Sequence, residues 1–244
     1  MSAGAIRAAE PPLPAVEREA IETEFTRKRD SLAAAIAREP EKVALYSQRG
    51  DCHLFLGQFR EAVADFEKMI ALDPAQDAPH WRLGIAYYFA GDFEKSARQF
   101  TKYHRHDDRD RENGLWKFLA QAASEGVEAA RRDMLPYTRF DREPFPALYA
   151  LYGGTKTPDQ VFSEIEAKGL TNQRPVHFFA HYYVGLLEGL QGRKDAALEH
   201  LRRALTEVKA DDPTGSRSYM WQVARLHYDW LRERGGGAAQ TEKR

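Results

Sequence analysis

A single cysteine, Cys52, stands in 244 residues, which excludes an internal disulfide and any multi-cysteine zinc or iron–sulfur site. It lies far inside the chain in an apolar helical stretch, so packing is expected of it rather than reactivity or N-terminal lipidation. An excess of one charge is also lacking. Charged residues make up 30% of the chain, yet the net charge is -1, leaving no broad basic field for nucleic acid and no polybasic patch for a membrane surface. The mixed run RHDDRDR (105–111) is accordingly read as a solvated turn. No apolar run approaches the roughly 18 to 20 residues a bilayer-spanning helix needs. Strand alternation, a glycine-rich phosphate loop, a GxSxG elbow and a recognisable Cys/His spacing are all missing. Nothing here supports an enzyme, and no cofactor is expected.

The first residues, MSAGAIRAAEPPLP, contain no hydrophobic signal core. Small residues at Ala8 and Ala9 before a proline-rich linker resemble the surroundings of a signal-peptidase site. That predicts an exported, periplasmic protein, with the cytoplasm as the alternative.

What the chain does have is a period. Residues 46–74 laid over residues 80–108 match Gly50 with Gly84, Gly57 with Gly91, Phe59 with Phe93 and Phe66 with Phe100, each offset by 34. Ala62 stands over Ser96, and one interval earlier Pro74 falls on Pro40, so a truncated copy ends there. Gly50 and Gly84 sit in mid-helix, where glycine costs about 1 kcal/mol relative to alanine and implies close approach of a neighbour. Gly57 and Gly91 end the first helix of each pair, and Phe66 and Phe100 are the large residues of the second. A helix–turn–helix unit of this length with these residues resembles the tetratricopeptide repeat.

The pattern fades and then returns. Residues 114–126 and 128–135 read as a divergent pair, FPALYALYGG and TPDQVFSEIEAKG as a compact one with Thr157 and Gln160 forming a capping box. Residues 176–206 repeat the glycine spacing at Gly185 and Gly192. Residues 216–237 read as an amphipathic helix with a stripe of Tyr219, Val223, Leu226 and Trp230, placed as the cap of the solenoid. The expectation is an all-α helical-repeat solenoid with a C-terminal capping helix over 15–234, between a disordered linker (1–14) and a disordered tail (235–244).

Histidine invites a metal reading at HFFAHYY (177–183), where His177 and His181 stand four apart. Counting from the repeat glycine, however, His181 and His80 occupy the same position, one where a bulky ring packs between helices, and His53 occupies another ring position. Phe178 replaces the glutamate of a zinc-protease HExxH, and no third ligand is identifiable. Packing is therefore expected and no metal; a metal-dependent hydrolase using His177 and His181 is the rival from another class.

Stacked pairs of this type curl so that first-helix residues line an inner wall. The inward positions hold Ser47, Asp51, Leu54 and Phe55, then Trp81, Ile85, Tyr88 and Phe89, with Trp116 and Tyr182 beyond. Phe55, Trp81, Ile85, Tyr88, Phe89, Trp116 and Tyr182 are the candidate partner-binding residues, because concentrated aromatic surface is the composition of binding hot spots. The alternative is that later helices of the same chain fill this wall. The Lys and Asn set with which some tetratricopeptide domains clamp a chaperone's C-terminal carboxylate is absent, since Ser47, Asp51 and Trp81 stand in its places.

The order of parts from GIAYYFAG through GLWKFLAQ, LYALYGG and TPDQVFSEIEAKG to HYYVGLLEGLQG, over residues 43–205, resembles the bacterial lipoprotein family called new lipoprotein I. The resemblance implies a non-catalytic envelope adaptor that binds a protein or peptide partner, dimerises, and scaffolds a protease or peptidoglycan hydrolases. An organellar or photosynthetic assembly factor is a second rival using the same surface.

Overall fold

The computed structural model describes residues 12–207 and 218–233. Most of the expected linker, including Ala8 and Ala9, and the whole expected tail lie outside these residues. Among them there are twelve α-helices and no strand: α1 (Ala15–Arg38), α2 (Val43–Phe55), α3 (Phe59–Leu72), α4 (Trp81–Phe89), α5 (Phe93–His106), α6 (Arg111–Glu125), α7 (Val127–Arg132), α8 (Phe145–Tyr152), α9 (Pro158–Ala167), α10 (Arg174–Leu190), α11 (Lys194–Glu207) and α12 (Tyr219–Glu233). No described helix is long and apolar enough to cross a membrane. From α1 to α7 each helix packs on the next, and α10, α11 and α12 do the same. Between these runs α8 packs back on α6 and forward on α10. The molecule is an all-α solenoid.

The repeat interval has a visible cause. A methyl group added at Gly50 would come within 2.5 Å of the Phe66 ring, and one at Gly84 within 2.7 Å of the Phe100 ring. The expected close approach is thus made by the ring of the second helix, which occupies the space a side chain would need. Phe66 and Phe100 are fully buried in this way. Ser96, the small residue of the second repeat, donates its hydroxyl to the Gly84 carbonyl at 2.8 Å. The turn glycines Gly57 and Gly91 adopt φ of 74° and 82°, a region that favours glycine.

α1 supplies the truncated copy: Leu32 and Ile36 pack with Leu45, Tyr46, Cys52 and Met69 in a small N-terminal core. Cys52 is buried, and burial pushes its thiol up to about 11. Leu13, assigned to the linker by sequence, is buried in the main core. The capping box at Thr157 and Gln160 forms as expected.

α12 differs from its expectation. Beyond covering the end of the solenoid against α11, it also packs on α2, and Trp221 to Tyr228 are buried without a break. That run includes Gln222, Arg225 and His227, none of them on the expected apolar stripe. The cause is location: α12 lies along the inner wall, where every face of a helix meets protein.

Candidate protein-binding groove

The inner wall is built by α2, α4, α6 and α10, and α12 is laid into it. Two rings of α12 meet the candidate residues. Tyr219 meets Phe55 edge-on at 4.9 Å and Trp81 at 4.8 Å. His227 meets Tyr88 at 5.5 Å, Phe89 at 4.5 Å, Trp116 at 5.6 Å and Tyr182 at 5.7 Å. The structure therefore gathers six of the seven candidate residues around one helix of the same chain. The seventh, Ile85, is fully buried. Phe55, Tyr88, Trp116 and Tyr182 are buried as well; Trp81 and Phe89 remain half-exposed. Of the two alternatives for this wall, filling by the chain's own helix is the observed one over most of its length.

Polar contacts fix α12 in place. Arg225 donates to the Phe55 carbonyl at 2.6 Å and to the Gln222 side chain at 2.9 Å. Arg18 of α1 forms a two-pronged pair with Asp229, at 2.8 and 2.6 Å. The Tyr182 hydroxyl lies 2.8 Å from His227 Nδ1. Burial holds His227 down to about 3, so it is neutral near pH 7. Sequence reasoning missed Gln222, Arg225 and His227. A signal existed, because Tyr219, Val223, Leu226 and Trp230 share one side of the helix while Trp221 and Tyr228 stand on the opposite side, the pattern of a helix packed on both sides.

Two openings flank the first turn of α12. One, of about 430 Å³, lies beneath α1 and is lined by Leu13, Ile21, Phe25, Asp51, Phe55 and Gln222, among others. Asp51 bonds Arg82 at 2.6 Å, and burial raises its carboxyl to about 6. The other, of about 290 Å³, is walled by Trp81, Trp116, Phe179 and Met220 and floored by Asp110, Glu112, Asn113 and Arg142. Asp110 caps α6, accepting from the Glu112 amide at 3.1 Å and from Asn113 at 2.6 Å. Glu112 accepts from the Tyr183 hydroxyl at 2.7 Å and from Arg142. Burial raises the Glu112 carboxyl to about 7, against the opposing pull of Arg142.

Of the histidine pair on α10, His181 is placed in packing and His177 is partly buried beside it. His181 is buried, 4.6 Å from the Phe162 ring, with its Nδ1 at 2.9 Å from Nδ1 of His200. Burial, with the neighbouring His200, lowers it to about 3. His80 packs on Phe66 at 4.8 Å, and its Nδ1 accepts from the Leu83 amide, capping α4. Among the described residues no group of three or more His, Cys, Asp or Glu is arranged to hold a metal ion.

The tetratricopeptide repeat family matches residues 43–76, the span of α2, α3 and the turn that follows. The chain is 28% identical over 116 residues to the protein SGT1 homolog of Bos taurus and 30% identical over 111 residues to Hsp70-Hsp90 organizing protein 3 of Arabidopsis thaliana. It is 28% identical over 110 residues to tetratricopeptide repeat protein 16 of Macaca fascicularis. The matches cover 46%, 45% and 42% of this chain, and 34%, 19% and 13% of the relatives. The chain thus spans about a third or less of the length of these proteins. It is a repeat protein of the tetratricopeptide type.

Proposed function

We propose that this repeat protein is a non-catalytic adaptor that binds a protein partner on its inner wall, where the first turn of α12 leaves the wall open. One observation carries this: Trp81 stays half-exposed at the edge of an aromatic-walled opening while the rings deeper in the groove are covered by α12. Exposed aromatic surface beside a preformed cavity is what binding hot spots are made of. The deeper rings then serve to hold α12, which gives the opening its fixed shape. In the competing hydrolase reading His177 and His181 need an accessible ligand set, whereas His181 is buried against Phe162 and His200.

The name of one relative connects that protein with Hsp70 and Hsp90. In this chain Ser47, Asp51 and Trp81 stand where the chaperone-carboxylate clamp needs Lys and Asn, and Arg82 is already engaged by Asp51 and Ser47. A different partner class is proposed. The order of helices over residues 43–205 supports an envelope adaptor for a protease or a peptidoglycan hydrolase, and with it export and self-association as a homodimer.

The test places a photo-crosslinking aromatic residue at Trp81 in the full chain, in source cells, beside the same residue at exposed Glu94 on α5. A discrete partner adduct is expected at position 81 and none at position 94. Trp81→Ala should weaken the isolated partner about tenfold or more with helicity unchanged. Equal adducts at both positions, or undiminished affinity, would overturn the adaptor reading.

A further inference from the structure

The opening beside Trp81 has a chemistry that names its guest. Its walls are three aromatic rings, Trp81, Trp116 and Phe179, with the Met220 thioether. Carboxylates crowd its floor: Asp110, Glu112 and, beside them, Asp141, which accepts from the Arg111 amide at 2.9 Å and from the Arg142 amide at 2.7 Å. One guanidinium, Arg142, serves all three, reaching Asp110 and Asp141 at 3.3 Å each as well as Glu112. The other nearby cation, Arg111, is directed over the Tyr137 ring at 5.3 Å. Three carboxylates against one engaged guanidinium leave the floor negative when Glu112 is ionised.

The site already hosts one cation in this way. Arg142 lies 4.3 Å above the Phe145 ring centre and 5.8 Å from that of Phe179. Aromatic faces over carboxylates attract ammonium and guanidinium groups, and the attraction grows as water is removed. A second observation points the same way. The Trp116 indole N–H is buried at the cavity wall with no acceptor among the described residues. It is a donor left for a carbonyl oxygen, which a peptide backbone supplies and a free amine does not.

We propose that this cavity receives a basic side chain, the guanidinium of arginine or the ammonium of lysine, borne on an extended segment of the partner protein. The proposal rests on the adaptor reading and deepens it. The basic group enters between Trp81 and Phe179 and faces Asp110 and Glu112. Its main chain passes over Trp116, and Met220 closes the side next to α12. Because α12 supplies that wall, the pocket exists only with α12 in place.

The probes are n-butylguanidinium, n-butanol, butyrate and the capped tripeptide acetyl-Ala-Arg-Ala-amide, added to the full chain at pH 8 and followed by tryptophan fluorescence and calorimetry. Butylguanidinium should bind at least tenfold more tightly than butanol or butyrate, and the tripeptide more tightly still. Asp110→Asn keeps an oxygen for the α6 cap but removes charge, and should weaken the tripeptide about threefold to tenfold. Glu112→Gln should do the same, and lowering the pH from 8 to 6 should weaken binding to wild type but not to this variant. Melting curves establish that each variant is folded, and Glu94→Gln on α5 serves as the neutral control. Equal binding of the three butyl probes, or a tripeptide no better than butylguanidinium, would overturn the proposal. So would undiminished binding by both carboxylate variants. A crosslinked partner at Trp81 together with no cation preference would sink this inference alone and leave the adaptor standing.

Discussion

In the first two repeats the seam between helices is closed by an apolar wedge, Phe66 over Gly50 and Phe100 over Gly84. Between α6 and α10 a charged cluster is added to the apolar packing. Lys117 reaches the Asp133 carboxylate and carbonyl at 2.7 and 2.6 Å, Arg142 gathers three carboxylates, and Tyr183 ties Glu112 to α10. The wedge is non-directional and repeats with the chain, so it generates a regular stack. The polar cluster is directional and irregular, and it surrounds the opening in the wall. Regularity builds the support, and the break in regularity builds the opening proposed for recognition.

Loss of a wedge should damage the stack more than loss of any polar contact. Phe100→Ala should cost about 3–5 kcal/mol, since a large ring is lost from a fully buried place. Gly84→Ala should cost about 1–3 kcal/mol, because the Phe100 ring stands where the methyl must go. The two changes share one space, so Gly84→Ala with Phe100→Leu should lose less than the sum of the single variants, in a denaturation cycle. Additive losses would mean that ring and glycine do not form a unit.

Much of the support was legible from residues alone, and most of the candidate site was not. Gly50, Gly84, Phe66 and Phe100 recur at one interval because a stack of identical pairs has a fixed repeat distance, and any periodic constraint leaves a periodic trace. The carboxylate cluster leaves none. Asp110 and Arg142 are 32 positions apart and meet only because α8 folds back on α6. In sequence, Asp110 belonged to a run that reads as a solvated turn. Asp107, Asp108 and Arg109 do lie in that turn, but Asp110 caps α6 and floors the cavity. Register places Trp81 and Trp116 on the inner wall, and both line the cavity beside α12. That α12 would cover their neighbours was open, and Trp221 and Tyr228, standing opposite the Tyr219 and Trp230 stripe, were the missed indication.

A second prediction concerns the polar region and is of intermediate size. Folding raises the Glu112 carboxyl from an ordinary 4.5 to about 7. The folded state therefore holds a proton that the unfolded chain has released. The resulting stabilisation is fully present below about pH 4.5 and is lost as pH rises through about 7. Glu112→Gln abolishes that dependence. Its amide oxygen can accept from Arg142 and its NH2 can donate to the Tyr183 oxygen. At pH 8 the variant should be more stable than wild type by on the order of 1 kcal/mol or more, and at pH 5 about equal to it. A stability difference that does not change between pH 5 and 8 would show that Glu112 titrates normally and that the cluster is not enclosed.

The smallest effect tests whether the two regions are energetically separate. Thr157 accepts the Gln160 amide at 3.3 Å, and Gln160 accepts the Thr157 amide at 2.9 Å, so the start of α9 has its end donors satisfied from both sides. Thr157→Ala should cost about 1 kcal/mol. α9 packs on α8 and α10 through Val161 and Ile165 and touches neither α4 nor α5 in the stacked order. In a solenoid whose units interact with nearest neighbours, that loss stays local. Amide hydrogen exchange should quicken in α9 and the ends of α8 and α10, while protection in α4 and α5 is retained. Equal loosening of α4 and α5 would mean that α12, which touches both halves of the groove, couples wedge and polar cluster into one cooperative unit. The contrast between the two regions would then be one of chemistry and not of stability.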